Sequence, residues 1–115
     1  FSAVSPANFP VESEFLNNKL YVAHFAVNGI EIVDFDNNNA ITRVDLGYSP
    51  VNVTTDGLEL FAIGTNSKEV SILNPSTNNI TSITVDAIEQ ARGIAASKDY
   101  IVIADRNKGL IVVNR

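Results

Sequence analysis

Oxygen-bearing side chains are densest between Asp34 and Asp45, in the order of a calcium loop. Asp34, Asp36 and Asn38 stand at positions 1, 3 and 5 of a twelve-residue stretch, Ile41 is apolar at position 8, and Asp45 is the acid at position 12. A hard cation takes carboxylate and amide oxygens in this spacing. Two positions depart from it: Asn39 stands where a Gly is usual, and Asp45 where a bidentate Glu is common. The same residues also read as a hairpin turn, since Asn tolerates positive φ and Asx side chains cap backbone N–H groups. A second polar turn, Asn74 to Asn79, has no acid at all.

His24 is the single histidine, which excludes a histidine-rich metal site and a two-histidine mechanism. It is read either as a ligand contact at a loop edge or as a structural residue. Asp105 and Arg106 are adjacent, an acid and a cation able to face a ligand together, or two charges on a solvated turn. No Gly-rich phosphate loop occurs and no Ser sits in a G-x-S-x-G elbow, so covalent hydrolase chemistry has no support. Asn52-Val53-Thr54 and Asn79-Ile80-Thr81 match the N-glycosylation pattern, which is frequent by chance in a chain rich in Asn and Thr.

The chain has 115 residues, 45% of them hydrophobic and 18% charged, the composition of one folded domain. A net charge of −5, with eight scattered Lys and Arg, provides no patch to neutralise phosphates, so nucleic acid is not an expected partner. The longest apolar runs, such as Tyr100 to Ala104, fall far short of the roughly 20 residues of a membrane span, and no membrane insertion is expected. With no Cys there is neither a disulfide nor a thiolate metal site. Abundant Asn, Ser and Thr with few Lys suit an extracellular or periplasmic protein.

The elements that position these residues repeat every 40 positions. Leu20-Tyr21-Val22-Ala23 returns as Leu60-Phe61-Ala62-Ile63 and as Tyr100-Ile101-Val102-Ile103. Gly29 to Asp34 returns as Glu69 to Asn74 and Gly109 to Asn114 in the same register. β-branched and aromatic runs separated by Asn, Asp, Gly and Ser clusters mark strands. Four strands, A to D, are expected per unit. In the second unit they are Val51–Thr55, Leu58–Gly64, Glu69–Asn74 and Ile80–Val85; in the first, Ala7–Val11, Lys19–Phe25, Gly29–Phe35 and Ile41–Leu46. The third has A at Gly93–Ser97, B at Tyr100–Asp105 and C at Gly109–Asn114, with no strand D. Val85 to Ala91, which has a faint helical pattern, reads as an insertion.

Repeats of about 40 residues with four antiparallel strands point to an all-β fold of β-propeller blades, with a β-sandwich as the alternative. The units cover about residues 5–46, 49–86 and 91–115, the last incomplete. Small side chains at Gly93, Ala95 and Ala96 suit strands that converge on an axis. The segments "LYVA" and "GIEIVDF" within Lys19–Asn37 resemble bacterial propeller repeats of the LVIVD and YVTN types, and the likeness extends over nearly the whole chain. Glu69 and Asn74 depart from it, where Gly and Asp are usual. The resemblance implies blade packing and leaves function open.

Propellers close with about four to eight blades, so further blades are expected from the same chain or from a second copy. Otherwise the outer flanks, assigned Tyr21, Ile32, Ile101 and Val112, face water. The functional expectation is a non-catalytic binding or scaffold module that contacts a protein or glycan through its B–C and D–A rim loops. The candidate contacts are His24, Phe25, Tyr48, Asn66, Lys68, Asp105 and Arg106. The alternative is a segment of a lactonase- or lyase-type propeller enzyme whose catalytic residues lie partly on other blades.

Overall fold

The computed structural model describes residues 9–115. Three antiparallel sheets follow one another along the chain, each a simple up-and-down meander. The first contains β1 (Pro10–Leu16), β2 (Lys19–His24), β3 (Gly29–Asp34) and β4 (Ala40–Asp45). The second contains β5 (Pro50–Thr55), β6 (Leu60–Gly64), β7 (Glu69–Leu73) and β8 (Ile80–Thr84). The third has three strands, β9 (Ala91–Ala96), β10 (Tyr100–Asp105) and β11 (Gly109–Asn114). The first strands of the sheets lie side by side, β1 along β5 and β5 along β9, the arrangement of propeller blades around an axis.

Two cores alternate with the three sheets. Leu16, Tyr21, Ala23, Ile30 and Ile32 of the first blade pack on Val53, Leu60, Ala62 and Leu73 of the second. The opposite face of the second blade, with Phe61, Ile63 and Val70, packs on Ala91, Ile101 and Ile103 of the third and on Val85 and Ile88 of the connection. The middle sheet is therefore covered on both faces, whereas the alternative β-sandwich has one core between two sheets. Each fully buried large apolar side chain contributes about 1.5–3 kcal/mol relative to exposure, so these two seams hold the arc together. Tyr21, Ile32 and Ile101 belong to the seams, which corrects their assignment to open flanks. Val112 is 60% exposed and does lie on one.

The turns explain where the strands end. Asn17 and Asn18 both adopt positive φ, 53° and 57°, and form a two-residue connection of the kind that matches strand twist. Strand A of the first blade thus runs up to Leu16, not over Ala7–Val11; Ala7 and Asn8 lie outside the described residues. Val85 to Gln90 holds no helix and forms the crossover to the third blade, tied by Val85 N–H to Lys68 O and Ile88 N–H to Val85 O.

The third blade is displaced by one residue from the 40-residue repeat in its first two strands. Residues facing the preceding blade are Leu60 and Ala62 in β6 but Ile101 and Ile103 in β10. Strand A starts at Pro10, Pro50 and Ala91, and a bulge follows at the same place each time, between Pro10 and Glu12, Pro50 and Asn52, and Ala91 and Gly93. The crossover spans 85–90 where its predecessor spans 46–49, and the β10–β11 loop spans only 106–108 where β6–β7 spans 65–68, which restores the period in β11. A one-residue shift exchanges the two faces of a strand. Here it puts the two Ile residues of β10 inside and Val102 outside.

Arg115 fastens the far edge of the third blade to the second. Its guanidinium donates to Asp56 Oδ2 (2.7 Å), Glu59 Oε1 (3.1 Å) and Ser97 O (2.6 Å), and lies 4.9 Å from the Phe61 ring centre.

Ile103→Ala, which empties the seam, is expected to destabilise the chain by about 2–5 kcal/mol, and Val102→Ala by clearly less. Denaturant unfolding of both variants checks this; a larger loss at Val102 would restore the unshifted 40-residue register.

Candidate functional site

Strand B of each blade ends on one rim, at His24, Gly64 and Asp105, which are structural equivalents once the shift is included. The rim at this point receives the D–A crossover loop from the blade before, and the described crossovers are seated in different ways. Over Gly64 lies the Tyr48 ring: a Cβ at Gly64 would sit 2.5 Å from Tyr48 Cδ2 and 2.7 Å from Ser49 O, so no side chain fits. The Tyr48 hydroxyl donates to Ala62 O at 3.1 Å and is 2.6 Å from Ser71 Oγ. Burial pushes its pKa up, with the bond to Ser71 opposing.

Asp105 takes the same place in the third blade. Its Oδ2 accepts the N–H groups of Glu89 and Gln90, both at 2.8 Å, and its Oδ1 those of Asn107 (2.9 Å) and Lys108 (3.0 Å). Burial opposes ionisation, but these four amides together hold its pKa below the ordinary value. Asp105 is thus turned inward to pin two loops, while Arg106 beside it is exposed; the pair does not face a ligand together.

His24 is buried rather than presented at the rim. Its Nε2 lies 3.4 Å from Glu31 Oε1, and Glu31 Oε2 accepts from Arg43 Nε and Nη2, each at 3.2 Å. Glu31 was not singled out from sequence, although an acid at the centre of an apolar strand, where Ser71 and Ile111 stand in the other blades, was the available signal.

The rim does bring other candidates together. Phe25, Tyr48 and Asn66, with Ser49 and Thr65, line a cleft of about 160 Å³ between three successive loops. Phe25 is 46% exposed and its ring centre is 6.2 Å from that of Phe9. An adjoining cleft of about 280 Å³ is lined by Asn66, Ser67, Lys68, Ile88 and Glu89. Lys68 Nζ donates there to the backbone oxygens of Asp86 (2.6 Å) and Ile88 (2.7 Å), so it also holds the crossover in place. Ser49, Thr65 and Glu89 went unnoticed because loop residues have no periodicity to betray their direction.

The calcium reading is overturned. Asp34 and Asp45 bracket opposite ends of the β3–β4 pair: Asp34 pairs with Ala40 and Asp45 with Gly29. Six residues of strand at about 3.4 Å each separate position 12 of the presumed loop from positions 1 to 5. Asp34 Oδ1 instead accepts Asp36 N–H, Asp36 Oδ1 accepts Asn18 Nδ2, and Asp45 Oδ1 accepts Gly47 N–H. Asn38 and Asn39 take positive φ, 55° and 58°, as the turn requires. Among the described residues no cluster of three or more His, Cys, Asp or Glu can hold a metal ion. None of their helices is long and apolar enough to cross a membrane.

No family model and no curated protein matches the chain. Solved structures do. A streptogramin B lyase superposes with a TM-score of 0.70 at 11% identity, over 96% of this chain and 42% of its own. Virginiamycin B lyase from Staphylococcus aureus gives 0.67 at 14%, over 93% and 41%. Hsv2 from Kluyveromyces lactis gives 0.56 at 13%, over 95% and 37%. At these identities the likeness is one of fold: the class is the β-propeller, and the chain corresponds to an arc of it spanning about two fifths of these relatives.

Asp105 is held below the ordinary Asp value of 3.8 in the folded state. The stability this supplies is therefore complete above that value and disappears as pH falls through the lower folded pKa. Asp105→Asn is expected to lower the melting temperature at pH 7, and the gap to the parent chain should shrink below about pH 4. Melting curves from pH 7 to 2.5 test this; a gap that does not change with pH would remove the ionised carboxylate from the account.

Proposed function

We propose that the chain is a non-catalytic binding or scaffold segment of a β-propeller, which contacts a protein or glycan through its rim in an extracellular or periplasmic setting. The observation that carries this reading is the cleft between Phe25, Tyr48 and Asn66. Three loops of one rim converge there, and its lining residues are aromatic, hydroxyl-bearing or amide, all without charge. An exposed ring beside fixed polar groups offers an apolar contact and hydrogen bonds at once, the combination that anchors partners at interfaces. The Tyr48 hydroxyl is committed to Ala62 and Ser71, so Tyr48 is held in place and recognition falls to Phe25 and Asn66.

The enzyme reading, a segment of a lyase- or lactonase-type propeller, is supported by the innermost strands. There Glu12 and Arg92 are exposed and Glu14 is half-buried, in place of small apolar residues alone. Against it, the carboxylate beside the histidine, Glu31, is sealed with His24 inside the first blade, away from solvent.

The two are separated by one set of variants. Saturable retention of the chain on a printed glycan array or a displayed peptide library is expected to weaken at least about tenfold in Phe25→Ala with Asn66→Ala, with the melting temperature nearly unchanged. Undiminished retention would place the contact elsewhere. Consumption of virginiamycin B, followed by mass spectrometry, would favour the lyase reading instead.

A further inference from the structure

The cleft at Phe25 does not end at Asn66. Asn66 also lines the adjoining cleft, between the β6–β7 loop and the crossover that carries Ile88 and Glu89. The two share the β6–β7 loop as a wall, and the loops around them connect strands of the described blades. At about 160 and 280 Å³, each falls below the roughly 300–1,000 Å³ of a site for a drug-sized ligand, and joined they come within it. A ligand that fills the rim groove therefore spans both.

The chemistry of the lining selects the ligand. Its charged side chains are Lys68 and Glu89, of opposite sign in the same cleft, and each has a protein partner. Lys68 Nζ donates to two backbone oxygens, and Glu89 Oε1 lies 3.1 Å from Lys108 Nζ. Among the lining residues no charge stands alone to draw an ion from solution. Hydroxyls and an amide make up the other polar groups. Ser49 Oγ donates to Asn28 Oδ1 and can still accept; Ser67 Oγ accepts the Glu69 N–H and can still donate. The exposed Asn66 amide offers both functions. Sugar hydroxyls are donors and acceptors at once, which such groups match, and the half-exposed Phe25 ring suits the apolar face of a pyranose. An extended peptide would take its backbone bonds from a strand edge, whereas every residue lining the two clefts lies between strands.

We infer that the joined clefts take an uncharged oligosaccharide, a disaccharide or longer, with Phe25 against one ring and Asn66 and Ser67 bonded to hydroxyls of the next; this rests on the non-catalytic binding reading of the same rim. The intact chain would be applied to a printed array of neutral, sialylated and sulfated glycans, in parallel with a displayed peptide library. Saturable retention on neutral oligosaccharides is expected, at least about tenfold above the matching monosaccharides. It should not change when salt is raised to about 1 M, where the screening length is about 3 Å. Ser67→Ala should weaken it about two- to tenfold, the loss of one hydrogen bond, with a cooperative melt retained. Retention on the peptides alone, lost in Phe25→Ala with Asn66→Ala, overturns this inference and leaves the rim reading standing. Retention of neutral glycans that ignores Phe25, Asn66 and Ser67 overturns both. A preference for sialylated or sulfated glycans that fades with salt overturns the inference, as does an absence of retention on every neutral glycan.

Discussion

A β-strand turns alternate side chains to opposite faces, and in the middle blade both faces must be apolar because another blade lies against each. The parity of β2, β6 and β10 therefore determines the rest of the structure. Tyr21 and Ala23 meet Leu60 and Ala62 in one seam; Phe61 and Ile63 meet Ile101 and Ile103 in the next. Shifting one strand by a residue without compensation would put Val102 in the seam and the two Ile residues in water. The longer crossover before β9 and the shorter loop after β10 provide that compensation, and the repeated bulge near the start of each strand A keeps the blades equivalent.

The rim follows from the same constraint. Each strand B must end beneath a crossover whose backbone amides and carbonyls need partners. In the second blade Gly64 leaves room for the Tyr48 ring, and the hydroxyl reaches Ser71. In the third, Asp105 answers four amides directly. Lys68 supplies two carbonyls of the longer crossover with a cation. The polar residues that look like candidates for chemistry are in these cases the ones that hold the loops in position. Clefts remain between the loops, one of them lined by Phe25 and Asn66.

The blade pattern was legible in the sequence because burial on both faces leaves a dense, regular apolar signal at a fixed period. Strands β10 and β11 were read to the residue. The shift in the third blade was not, since Tyr100-Ile101-Val102-Ile103 is apolar in either parity and only packing decides between them. Strand A of the first blade was placed too early because its polar run Glu12, Ser13 and Glu14 resembles a loop. The Asp34–Asp45 loop misled for a related reason: ligand spacing in sequence says nothing about an intervening strand, and β4 carries Asp45 to the far end of the sheet. Of the rim candidates, Phe25, Tyr48 and Asn66, chosen through the repeat, line one cleft, whereas His24 and Asp105 point inward, a direction that sequence position at a strand end does not specify.

The central claim is that three propeller blades stack with the third displaced by one residue. Nuclear Overhauser contacts from the Phe61 ring in a methyl-labelled sample test it most directly. The structure places this ring in one buried cluster with Ile101 and Ile103 and leaves Val102 out of it, so contacts to the methyl groups of that Ile pair are expected in preference to Val102. Contacts to the Val102 methyl groups, with Ile103 in solvent, would contradict it.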